Sequence, residues 1–143
     1  MTHYVVEAEV AGGLGNRTEL DTTSNPPIVH RLHYEFDGWL GDPLVESFPC
    51  FLIEKEAAGD LEANGLTGVS LDAADVSRSD QFAELYPGRL LPKFLWLKPT
   101  GIVAKDDVSQ LPDGRLVLSE RALDILKKHG LAHALIDIFE DVK

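Results

Sequence analysis

Histidine, cysteine and paired carboxylates are the side chains that most often carry catalysis or bind metals, and the sequence holds five histidines and a single cysteine. His129 and His133 are four residues apart, which is the spacing of two metal ligands on one face of a helix. Gly130 lies between them and predicts the end of that helix, so we do not expect the pair to bind a metal. His30 and His33 fall on opposite faces of one predicted strand and therefore cannot easily share a ligand.

The remaining candidates for chemistry are weaker. Cys50 follows Pro49 and precedes an apolar stretch, which is typical of a buried structural thiol rather than a nucleophile. The glycines of residues 11–16 lack the Lys and Ser/Thr of a phosphate-binding loop and are interpreted as a turn. Asp106 and Asp107 form the densest acidic pair in a predicted loop, without further oxygen ligands at regular spacing. We therefore expect no catalytic residue, no metal ligand and no cofactor; a hydrolase assembled from distant carboxylates is left open.

The charge balance limits the classes of partner. Thirteen lysines and arginines stand against 24 aspartates and glutamates, a formal net charge of −11. Such a chain repels nucleic-acid phosphates and anionic lipids and attracts a basic partner. The sequence begins without the pattern of a signal peptide, and no apolar run approaches the ~20 residues of a membrane span. We therefore expect a cytoplasmic protein that binds neither nucleic acid nor membranes.

The secondary-structure elements that must position these residues are predicted to form a single domain over 1–143. Its predicted class is α+β, with mixed, largely antiparallel sheets and two short helices. Alternation of apolar and polar residues predicts strands at 3–10 and 28–36, antiparallel to each other. The remaining predicted strands are 48–53, 66–76, 94–98, 115–118 and 134–139, the predicted helices are 54–64 and 120–128, and 77–90 is irregular or weakly helical.

Two stretches of the sequence, 51–66 and 116–131, match at a constant offset of 65 residues. The identical pairs are Ala57/Ala122, Leu61/Leu126, Gly65/Gly130 and Leu66/Leu131. Each stretch reads as a strand, a short helix, a glycine stop and a second strand, which gives repeat units 46–76 and 111–141. Duplication and convergence both explain the match. Two strands of one unit that pair in a sheet are expected to be parallel.

One loop combines an aromatic side chain with acidic neighbours. Trp39 lies between Asp37 and Asp42 and is bounded by two glycines. An aromatic residue in such a loop is either an anchor for a partner or a lid folded over the sheet. We name Asp37, Trp39, Asp42, Asp106 and Asp107 as candidate partner-binding residues, the last two in a loop predicted to be exposed.

From residue 46 onward the sequence carries a series of short motifs. They are Pro49-Cys-Phe-Leu-Ile-x-x-Glu-Ala-Ala, Leu66-Thr67-Gly68-Val69, Leu91-Pro92-x-Phe94-x-Trp96-Leu97, Asp106-Asp107 and Leu116-Val-Leu-Ser-Glu-Arg-Ala-Leu123. These motifs resemble the immunity proteins of bacterial polymorphic toxin systems, including the myxobacterial type with doubled Cys-x-x-Cys-Gly motifs. The present sequence has no Cys-x-x-Cys-Gly, so the resemblance carries over no zinc site.

The resemblance implies a non-enzymatic protein that binds a cognate toxin and neutralises it by stoichiometric occlusion. The net charge of −11 adds the expectation that the toxin is basic. A small-ligand-binding or regulatory domain, with its pocket between the two repeat units, is the alternative of a different class. The sequence predicts no oligomeric state.

Overall fold

The computed structural model describes residues 2–24 and 26–140, which form an α+β fold. The strands are β1 (His3–Glu7), β2 (Gly12–Leu14), β3 (Glu19–Asp21), β4 (Ile28–Arg31), β5 (His33–Phe36), β6 (Leu44–Ser47), β7 (Cys50–Glu54), β8 (Val69–Asp72), β9 (Asp75–Arg78), β10 (Phe94–Pro99), β11 (Val108–Gln110), β12 (Leu116–Ser119) and β13 (Leu135–Ile138). The helices are α1 (Lys55–Ala63), α2 (Asp80–Leu85) and α3 (Glu120–Lys128). Within this described part of the chain, none of the helices has the length and apolar composition of a membrane span.

Two four-stranded antiparallel sheets organise the fold. The first sheet has the order β6-β7-β10-β8, and the second sheet has the order β11-β12-β1-β13. A third sheet, β2-β5-β9, contains the parallel pair β5–β9. Strands β3 and β4 form a separate antiparallel pair. The predicted fold class is confirmed, and α2 adds a six-residue helix where the sequence predicted irregular or weakly helical chain.

The two repeat units have the same order of elements, the first unit in the first sheet and the second unit in the second sheet. Helix α1 follows β7 directly and α3 follows β12 directly, and the two helices keep the offset of 65 residues. Each helix ends before a glycine with positive φ, 65° at Gly65 and 101° at Gly130. The next leucine then donates its backbone N–H to the carbonyl oxygen five residues back. These bonds join Leu66 to Leu61 and Leu131 to Leu126, both at 3.1 Å.

The strands that flank each helix are parallel, but they do not pair with each other. Strand β10 lies between β7 and β8 and is antiparallel to both. Strand β1 occupies the same place between β12 and β13. The strand that completes the second unit therefore comes from the other end of the chain, whereas β10 follows its own unit in sequence.

Two hydrophobic cores lie on opposite faces of the first sheet. The first core combines side chains of α1, α3 and the first two sheets, among them Val6, Leu44, Phe51, Ile53, Leu61, Leu97, Leu118 and Leu126. The second core combines the first sheet, the third sheet and α2, among them Tyr34, Phe36, Leu52, Phe82, Phe94 and Trp96. Strand β7 contributes alternate residues to both cores, which accounts for its unbroken apolar run.

Two predicted strands are each divided between sheets. The segment 28–36 forms β4 and β5, and β5 pairs with β2 and β9 rather than with β1. The predicted antiparallel pairing with 3–10 is therefore wrong, because β12 and β13 occupy both edges of β1. The segment 66–76 similarly contributes β8 to the first sheet and the start of β9 to the third.

The glycine-rich segment 11–16, interpreted from sequence as a turn, contains β2. Its pairing with β5 requires glycine at one position, because a Cβ on Gly12 would lie 1.9 Å from the carbonyl oxygen of Glu35. Glycine at this position thus permits the close approach of two strand backbones, and it does not form a phosphate-binding loop.

Candidate functional site

A groove of about 410 Å³ opens between the β1–β2 connection, the loop after β5 and helix α2. Its rim carries three exposed aliphatic side chains, Val10, Leu40 and Leu85, which are 68%, 59% and 59% exposed. The aromatic rings of Trp39 and Tyr86 line the same groove. An apolar rim around a concave surface makes this groove a candidate site for a partner or ligand.

Trp39 is half-buried and packs against the second core. Its indole Nε1 donates a hydrogen bond to the carbonyl oxygen of Asp42 at 2.9 Å. Its ring meets that of Phe94 edge-on, with the centroids 5.8 Å apart. The guanidinium of Arg89 stands 5.0 Å from the Trp39 ring centroid. The sequence left two roles open for Trp39, an anchor for a partner or a lid over the sheet. In the structure the ring covers the second core as a lid, and part of the side chain faces the groove. Contact with a partner stays a prediction.

Asp37 is exposed and lines the same groove, as its sequence position beside Trp39 suggests. The backbone N–H of Asp37 donates to the carbonyl oxygen of Ala11 at 2.9 Å, which ties the loop to the β1–β2 connection. Its carboxylate is therefore presented to solvent on a fixed backbone. Asp37 and Trp39 are the two candidate residues that the structure brings together at the groove.

Glu9, which sequence reasoning did not single out, is buried beneath this loop and is 8% exposed. Its Oε2 accepts a hydrogen bond from the backbone N–H of Leu40 at 2.7 Å. Its Oε1 is buried and has no hydrogen-bond partner among the described residues. Burial raises the pKa of Glu9 above its ordinary value, and the Leu40 N–H partly opposes this rise.

Asp42 is also interior, at 1% exposed. Its Oδ2 accepts hydrogen bonds from the backbone N–H groups of Ala132 and His133, at 3.2 and 2.8 Å. Its Oδ1 lies 2.8 Å from Nδ1 of the His133 ring. The Asp42 carboxylate therefore joins the loop between β5 and β6 (residues 37–43, the Trp39 loop) to the segment before β13. It is not part of an exposed acidic surface. Glu9, Asp42 and His133 each place one potential ligand atom within 4.8 Å of the others.

Asp107 has a structural environment of a different kind. Its carboxylate is 2% exposed and accepts two hydrogen bonds from Arg121, Nε to Oδ1 at 2.9 Å and Nη2 to Oδ2 at 2.7 Å. Ser119 Oγ donates to Oδ1 at 2.7 Å, and the backbone N–H of Thr67 donates to Oδ2 at 2.9 Å. The Arg121 guanidinium, above all, holds the pKa of Asp107 well below its usual range. The prediction of an exposed acidic loop is therefore wrong for Asp107, which links the two repeat units.

Asp106 is half-buried, and its Oδ2 accepts a hydrogen bond from the backbone N–H of Ile102 at 2.6 Å. It closes the turn between β10 and β11. Asp106 and Asp107 are not among the described residues that line the groove. The five candidate residues thus occupy two separate places in the fold.

The histidine pair of the sequence divides between two carboxylates. His129 Nε2 contacts Asp60 Oδ2, which joins α3 to α1, whereas His133 contacts Asp42. Gly130 ends the helix between them, as the sequence predicts. Cys50 is buried, and burial raises the pKa of its thiol to about 12, which makes it a poor nucleophile.

No protein-family model matches the sequence, and a comparison with curated proteins also finds no match. The groove offers an aliphatic rim, aromatic walls and a carboxylate at its margin.

Proposed function

We propose that the chain is a non-enzymatic, immunity-type protein that binds a basic bacterial toxin through the groove beside Trp39. The observation that carries this proposal is the exposed aliphatic rim of Val10, Leu40 and Leu85 around half-buried aromatic rings. Burial of such a rim on association supplies the hydrophobic centre that stable interfaces need.

The charge around the groove supports a cationic partner. Asp37 on its wall is exposed, and helix α2 carries exposed Asp80 and Glu84 beside the lining residues Gln81 and Leu85. The guanidinium of Arg89 lies over the aromatic rings of Trp39 and Tyr86, and Arg78 donates to the carbonyl oxygen of Arg89 at 2.9 Å. On a chain of net charge −11, this arrangement favours a partner segment with an apolar side chain between lysines or arginines.

The sequence's alternative, a small-ligand pocket between the repeat units, has less support. The interface between α1 and α3 is filled by buried apolar side chains of both units, including Leu61 and Leu126. The groove lies instead between α2, the Trp39 loop and the β1–β2 connection.

The proposal expects a toxin-type reading frame beside the gene for this chain, and the test uses the purified toxin domain of that frame. Replacing Leu40 or Leu85 by Asn should weaken binding about 10-fold or more, because interface anchors typically contribute 1.4 kcal/mol or more. The matched control is Ile138→Asn, which changes a side chain that is 64% exposed on edge strand β13. Equal affinity of the groove variants and the wild type, or failure of the wild type to bind that toxin, would overturn the proposal.

Ionic strength provides a second measurement. The association rate should fall steeply between 0.01 and 1 M salt, since the Debye length shrinks from about 30 Å to about 3 Å. For the groove variants and the Ile138→Asn control, equilibrium unfolding checks that each is folded at the temperature of the binding assay. An association rate that is independent of salt would remove the electrostatic part of the proposal.

A further inference from the structure

We propose that Glu9, Asp42 and His133 bind a divalent transition-metal cation, with Zn²⁺ as the best match to the donors. This site does not depend on the proposed toxin binding. It rests on three ligand-type side chains that the fold brings together from the β1–β2 connection, the Trp39 loop and the segment before β13.

The donor set is chemically suited to such an ion. Two carboxylate oxygens and one imidazole nitrogen lie within 4.8 Å of one another. Zinc bonds to these donors at about 2.0–2.2 Å, so donors around one tetrahedral ion lie about 3.4 Å apart. The two atoms Asp42 Oδ1 and His133 Nδ1 are already only 2.8 Å apart. The His133 side chain is 45% exposed, so its ring can move away from Asp42 Oδ1 by the small distance that an ion between them requires.

The unpartnered oxygen of Glu9 points independently to a ligand. Oε1 is buried and makes no hydrogen bond within the described part of the chain, and the nearby Leu40 N–H is already bonded to Oε2. An unsatisfied buried carboxylate oxygen is costly. A cation held between Glu9 and Asp42 would satisfy this oxygen and would reduce the repulsion between the two carboxylates, whose Coulombic interaction is unfavourable.

Asp42 is already fixed in the orientation that a ligand requires. The backbone N–H groups of Ala132 and His133 hold Oδ2, which leaves Oδ1 directed at the imidazole. A metal would replace the hydrogen bond between Oδ1 and Nδ1. Hydrogen bonds of this kind to a ligating carboxylate usually strengthen metal binding.

Three protein ligands leave one tetrahedral position for water or for an outside donor. Glu9 also lines the groove, so an ion at this site would stiffen the wall that carries Leu40. The expectation from sequence named no metal ligand, and this proposal departs from it.

The experiment is titration of the tag-free, EDTA-treated chain with Zn²⁺, followed by calorimetry and by thermal unfolding. Visible absorption of Co²⁺ in the same site reports the coordination geometry. We expect one ion per chain, a raised melting temperature, and at least a 10-fold loss of affinity in Glu9→Gln and in His133→Ala. The control is His129→Ala, because His129 contacts a carboxylate of α1 and not this cluster.

His133→Ala keeps the test decisive even if Glu9→Gln fails to fold, because the His133 side chain is 45% exposed. Equal metal affinity in His133→Ala and in the wild type would overturn the site. Absence of Zn²⁺ and Co²⁺ binding to the folded wild type would also overturn it, as would a Glu9→Gln variant that is more stable than the wild type and binds metal equally well. The last result would mean that Glu9 is protonated and does not bind a metal ion.

Discussion

Replacing Asp107 by Asn should destabilise the fold by about 3 kcal/mol at pH 7. The carboxylate is 2% exposed, and Arg121, Ser119 and Thr67 all donate to it. Loss of one partner from a buried ion pair typically costs 3–5 kcal/mol. We take the lower end because the Arg121 side chain is 52% exposed and can return its charge to water, and because an Asn oxygen retains part of the bonding.

The measurement is urea unfolding followed by the fluorescence of Trp39 and Trp96. The midpoint should fall while the slope with denaturant stays constant, because the surface exposed on unfolding does not change. A double-mutant cycle with Arg121→Met isolates the pair and should give a coupling energy of about 1 kcal/mol or more. A loss below 1 kcal/mol, or additive single variants, would refute the structural role assigned to this carboxylate.

The pH dependence gives an independent result from the same variant. The pKa of Asp107 is lower in the folded state than its ordinary value of 3.8. The unfolded chain therefore binds this proton first, and wild-type stability should fall as the pH drops below about 4. Asp107→Asn removes that contribution, so the stability difference between wild type and variant should shrink on acidification. A difference that is constant from pH 7 to pH 2 would contradict the assignment.

Three further predictions concern side chains of the two cores. Leu61→Ala and Leu126→Ala should each cost about 2–5 kcal/mol in urea unfolding, because both leucines are 1% exposed at matched helix positions; a loss below 1 kcal/mol in either would contradict their equivalence. Trp39→Ala should lower stability by about 2 kcal/mol, less than a fully buried tryptophan, because its ring is half-buried against Phe94; unchanged stability would favour a purely partner-binding role. Cys50 should resist alkylation by iodoacetamide at pH 8 in the native protein and react in urea, because it is buried and its pKa is about 12; rapid native alkylation would show that the thiol is accessible.

Helices α1 and α3 were predictable because their signals are local, whereas α2 was not predicted as a helix. Ser119 caps α3 by accepting a hydrogen bond from the backbone N–H of Ala122, and Gly130 ends the helix, so the bounds 120–128 follow from neighbouring residues. The partners of the strands were not predictable in this way. Alternation in 28–36 indicates extended chain, but it does not reveal that β4 and β5 belong to different sheets.

The candidate site was predictable only in part. Trp39 was found because an aromatic residue between glycines in a loop is unusual, whereas Glu9 occupies the polar face of an alternating strand and gives no local sign of burial. Asp42 and Asp107 were expected to contact a partner. Their burial depends on donors that are distant in sequence, His133 for Asp42 and Thr67 for Asp107. Composition alone cannot distinguish such an acid from a solvated one.

The insertion of β1 between β12 and β13 has a consequence for the order of folding. The first sheet draws all its strands from residues 44–99, whereas the second needs residues 3–7 to meet residues 116–138. Contacts between residues so far apart in sequence form slowly, because a long loop must close first. During synthesis the first unit can assemble while β1 waits for its neighbours to emerge from the ribosome. Among the described strands β13 pairs with β1 alone, so β1 must dock on β12 before β13 can join the second sheet.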